Sequence, residues 1–93
     1  MKFLKRLITK ERFPDGSTLW PSGREHFSFV DQHGDRFEFD VLYTSEAANA
    51  SNLIVSSSFV AADGRPISEK AKEEIISRAK VYFFERGQEV GVI

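Results

Sequence analysis

Between Ser68 and Gly87 apolar side chains recur at spacings of three and four: Ala71, Ile75, Ile76, Ala79, Tyr82 and Phe83. That pattern is one face of a helix with about 3.6 residues per turn. Ser68 is suited to the N-cap, because its hydroxyl can accept a bond from an otherwise unpaired amide of the first turn. Gly87 can take the left-handed conformation that ends many helices. Lys70, Glu73, Glu74, Ser77, Arg78 and Lys80 fill the other faces. Val81 and Phe84 widen the apolar surface, which predicts a helix lying across a sheet with both of these side chains in the core. A partner surface on the helix flank is the alternative. After Gly87, Val90-Gly91-Val92-Ile93 reads as a short strand in which Gly91 marks a bulge or a close backbone approach.

Upstream, from Arg24 to Tyr43, the period changes to two. Phe27 and Phe29 alternate with His26 and Ser28. Phe37, Phe39, Val41 and Tyr43 alternate with Glu38, Asp40 and Leu42. Asp31-Gln32-His33-Gly34-Asp35 joins the two runs, with a glycine where a hairpin turn needs one. A β-hairpin with one apolar and one charged face follows. Leu53–Val60 predicts a further strand, with Leu53, Val55, Ser57 and Phe59 on one face. It would lie parallel to the last strand if both share a sheet through the helical crossover; an antiparallel edge pairing is also open. Thr18-Leu19-Trp20 forms a short strand, with Pro21-Ser22-Gly23 breaking the chain after it. Residues 2–12 carry Phe3, Leu4, Leu7 and Ile8 opposite basic groups, so an N-terminal amphipathic helix is expected, with a strand as the alternative. Pro14 stops that helix at Phe13.

The expected fold class is therefore α+β in two layers. A mainly antiparallel sheet is covered by one long C-terminal helix, with a short N-terminal helix and a C-terminal strand. The 93 residues make one domain, 1–93, and 41% hydrophobic content is enough to fill one core without staples. There is no cysteine, so no disulfide framework or thiolate chemistry is available. No apolar run approaches the roughly 20 residues that span a bilayer. The charged start offers no secretory segment, which makes the cytoplasm the expected location.

The residues that could carry chemistry are few. His26 falls along a strand and His33 at a turn, too far apart to share a metal. Ser56-Ser57-Ser58 has no base nearby in the pattern. No phosphate-binding glycine loop or helical Glu-His motif occurs. The expectation is a non-enzymatic protein-binding module without cofactor or metal. Net charge is −1, but residues 1–12 hold five basic side chains and one acid, leaving 8 basic against 13 acidic in the remainder. Asp31, Asp35, Glu38 and Asp40 form the candidate partner-binding set, an acidic sheet face that could steer a basic protein.

Two resemblances extend this reading. His26-Phe27-Ser28-Phe29-Val30 followed by Phe37-Glu38-Phe39 resembles the aromatic hairpin of cold-shock proteins and related single-strand binders. That resemblance implies base stacking on Phe27, Phe29 and Phe37. The neighbouring Asp31, Asp35, Glu38 and Asp40 repel phosphate, so nucleic acid is the lesser expectation. Leu53-Ile54-Val55, Ser56-Ser57-Ser58, Asp63-Gly64, Ile67-Ser68, Ile75-Ile76, Phe83, Gly87 and Val90 together resemble small bacterial immunity-type proteins of polymorphic toxin systems. That resemblance implies neutralisation of a toxin domain by direct binding.

Overall fold

The structure is a computed structural model and describes residues 10–44 and 51–93. The elements run β1 (Glu11–Arg12), β2 (Thr18–Gly23), β3 (His26–Val30), β4 (Arg36–Thr44) and β5 (Ser51–Ile54). A 3-10 turn (Ser56–Ser58), β6 (Val60–Ala61), helix α1 (Glu69–Glu85) and β7 (Val90–Val92) follow. The fold is α+β. One curled sheet has the order β1-β2-β3-β4-β5-β7, with β6 also on β4. Every pairing is antiparallel except β5 with β7, where Asn52, Leu53 and Ile54 face Val90, Gly91 and Val92 in parallel. The strand–helix–strand reading of the C-terminal region is thus realised.

The hairpin forms with Phe27 opposite Phe39 and Phe29 opposite Phe37. Period two sends these rings to one face. There Phe39 stacks on Phe59 with centroids 4.6 Å apart and lies 5.8 Å from Phe27. Phe27 meets Tyr82 edge-on at 5.4 Å and Phe83 at 5.6 Å. Ile75, Ala79, Tyr82 and Phe83 of α1 share this buried cluster with Phe13, Leu19, Val41 and Ile54. Each fully buried ring or branched aliphatic contributes on the order of 1.5–3 kcal/mol. Ser68 caps the helix as expected, its Oγ accepting from Ala71 N at 3.1 Å. Gly87 ends it at φ +69°.

Five expectations need correction. Glu11–Arg12 are extended rather than helical, because Glu11 and Arg12 pair with Leu19 and Thr18; the rest of the expected N-terminal helix, residues 2–9, lies outside the described residues. Pro21 does not end β2. It sits in the strand opposite Phe27, beyond the two residues that pair with β1, so no ladder bond is lost on that side, and the chain bulges between Pro21 and Gly23.

The run Leu53–Val60 is not one strand. Ser58 Oγ donates to Val55 O at 2.6 Å and accepts from Asp40 N at 2.8 Å, which stabilises a 3-10 turn instead of a ladder. That turn resets the alternation, so Ile54 and Phe59 are both buried while Val60 is exposed. Tyr43 stands 61% exposed rather than in the core. Val81 and Phe84 are also outside it, at 41% and 82% exposure. Steps of 100° along the helix carry Phe84 well away from the arc of Ile75, Ala79 and Tyr82.

Candidate functional site

The face of the hairpin opposite the core carries the densest polar cluster. Antiparallel register sets His26 directly across from Asp40, with Glu38 two residues away on the same face. His26 Nδ1 lies 2.9 Å from an Asp40 carboxylate oxygen and Nε2 lies 2.8 Å from Glu38. The Asp40 carboxylate first, and Glu38 second, hold the imidazole pKa above its ordinary value, against the opposing pull of partial burial. In its protonated form the ring donates from both nitrogens, one to each carboxylate. That form has no lone pair with which to take a proton or bind a metal. The two carboxylates grip opposite edges of the ring and do not converge on one point. Among the described residues no group of three or more His, Asp or Glu side chains is placed to hold a metal ion.

The cluster continues along the same face. Ser28, fully buried, donates to Ser22 Oγ at 2.7 Å and accepts from Arg36 Nη2 at 3.2 Å. The Arg36 guanidinium and the Lys10 ammonium lie over the Trp20 ring at 5.5 and 4.5 Å. These contacts stitch β2, β3 and β4 together.

The four acidic residues expected to bind a partner are divided between two places. Glu38 and Asp40 come together on His26. Asp31 sits in the hairpin turn, where one carboxylate oxygen accepts from His33 N and Asp35 N, both at 2.9 Å. Asp35 is exposed and lines a cleft of about 400 Å³ between the turn, β6 and the helix start at Ile67–Ala71. Phe27 and Phe29, at 8% and 2% exposure, are core rings, and Phe37 packs partly against the core. Phe37 also lines the cleft beside Asp35, so of the three rings only Phe27 and Phe29 are enclosed in the core.

A second surface has a different character. α1 and β7 meet along a shallow groove lined by Lys80, Val81, Phe84, Gln88, Glu89 and Val90. Val92 and Ile93 continue its apolar character along the chain, both exposed. Across the helix, Arg86 pairs with Glu11 at 3.0 Å and covers the Tyr82 ring at 3.6 Å. The Glu85 pKa is raised from its ordinary value, first by its hydrogen bond with Glu11 and then by that like charge.

No known protein family, curated protein or solved structure matches this chain. The site therefore rests on its geometry alone. Among the described residues no helix is long and apolar enough to cross a membrane.

Two features of these surfaces escaped the sequence reading. The His26 clamp was available from hairpin register, since strands joined through Asp31–Asp35 set His26 against Asp40. The exposure of Phe84 was available from helical angle, but the wide apolar stripe concealed it.

Proposed function

We propose that the protein is a non-enzymatic protein-binding module whose contact surface is the seam between α1 and β7. One observation carries this: Phe84 is 82% exposed beside Val81 and Val90. A large exposed aromatic in an apolar groove that also carries Lys80 and Glu89 is the composition of an interface anchor. The best-formed polar cluster, on His26, spends its donors and acceptors internally, which favours binding over acid–base chemistry. In this reading α1 is the second layer over the sheet, its inner side holding the aromatic cluster and its outer flank meeting the partner. Asp31, Asp35, Glu38 and Asp40 act as charges that steer a basic protein rather than as anchors. A toxin domain is the basic partner that the immunity-type resemblance implies.

The test is site-specific photo-crosslinking in the native host. A photoreactive phenylalanine analogue replaces Phe84, with the same probe at Glu73 as the control. A discrete protein adduct from position 84 and none from position 73 is expected. Equal diffuse labelling from both positions would reject the surface.

A further inference from the structure

Three features of the α1–β7 seam bear on its occupant. First, β7 is the last strand of the sheet order among the described residues. Asn52 N donates to Glu89 O and Ile93 N donates to Ile54 O, so Glu89, Gly91 and Ile93 are the residues that face β5. In a parallel ladder the intervening residues turn their N–H and C=O the other way. Among the described residues, Val90 and Val92 therefore present an unshared edge. Second, the apolar floor of the groove, Val81, Phe84 and Val90, borders that edge on the helix side. Third, the groove carries one charge of each sign, Lys80 from the helix and Glu89 from the start of β7.

From these features we infer that the occupant is a second copy of the chain. The inference rests on the binding reading above and, for that seam, puts a second copy in place of the toxin domain as the occupant. Two β7 strands pair antiparallel about a two-fold axis, extending the sheet across both copies. The same patch then meets itself, as an isologous contact requires. The two α1 helices come side by side, so that Phe84 packs on Phe84 of the second copy. Lys80 of each copy faces Glu89 of the other. A patch of one sign would repel itself under this operation; a patch that carries both signs does not. The short length of β7 and its glycine limit open-ended strand addition, and the helix beside it confines pairing to a copy that brings its own apolar flank.

The experiment is sedimentation equilibrium of the full chain from low micromolar to high micromolar concentration. A mass rising from 10.6 kDa toward twice that value is expected. Phe84→Asp, a change at a side chain outside the core, should weaken self-association by at least about thirtyfold, as loss of an aromatic hot spot does. Lys80→Glu and Glu89→Lys should each weaken it, and the double exchange should restore it. Circular dichroism of each variant checks that the fold is kept. A monomer at every concentration, or a dimer indifferent to Phe84→Asp and to the charge exchange, would overturn the proposal. If the chain is monomeric while position 84 still crosslinks a different protein, the second copy is wrong and the binding surface stands. If neither occurs, both are wrong.

Discussion

His26 and Asp40 face each other across the β3–β4 ladder with Nδ1 2.9 Å from the carboxylate, and Glu38 holds the opposite ring nitrogen at 2.8 Å. A histidine placed so must titrate above its ordinary value. Its protonation stabilises the fold. That contribution is complete below the unfolded-state pKa of about 6.5 and is lost as pH rises through the higher folded-state value. NMR titration of the His26 ring should show the upward shift, and Asp40→Asn should reduce it more than Glu38→Gln. A His26 midpoint that ignores both substitutions would count against the clamp.

Asp15 behaves in the opposite sense. Its carboxylate accepts from the Ser17 hydroxyl at 2.6 Å, from Ser17 N at 2.9 Å and from Arg78 Nη2 at 2.9 Å. These bonds, Ser17 first, hold its pKa well below the carboxylate range. Its contribution is present above the unfolded pKa of about 3.9 and disappears as pH falls through the depressed folded value. Asp15→Asn should therefore flatten the acid limb of stability between roughly pH 4 and pH 2, read from urea midpoints at each pH.

Phe39 is fully buried between Phe27 and Phe59. Phe39→Ala removes both stacking partners' contact and leaves a cavity, at a cost of about 3–5 kcal/mol. For a 93-residue domain that is a large share of total stability. Urea denaturation should show a greatly reduced midpoint or an unfolded chain. Phe84→Ala, on the exposed flank, should leave the midpoint nearly unchanged at low micromolar concentration, where the chain is monomeric.

Gly87 turns the chain out of α1 at φ +69°, with open space around the position a Cβ would take. Gly87→Ala is thus strained by backbone alone, by roughly 1–2 kcal/mol. The substitution should lower thermal stability and raise amide exchange from Phe83 through Gln88, whose amide bonds to Phe83 O. Gly91→Ala is a different case: its Cβ would come 3.2 Å from Leu53 Cδ2, so the end of that side chain must give by a few tenths of an ångström.

The sequence alone determined the elements whose signals are local. Ser68 and Gly87 bracket the helix because capping and left-handed turning are properties of single residues. The phenylalanine alternation fixes the β3–β4 hairpin because a strand has only two faces. The tertiary structure decided what depends on neighbours distant in the chain. Ser56–Ser58 became a turn because Asp40, on another strand, supplied an amide to Ser58. Glu11–Arg12 became extended because β2 offered a ladder. Val81 and Phe84 are apolar in any reading, but apolarity does not say which side a sheet lies on. Their exposure follows from where Phe27 meets Tyr82 and Phe83, a contact that sets the helix's rotation and leaves its other flank open.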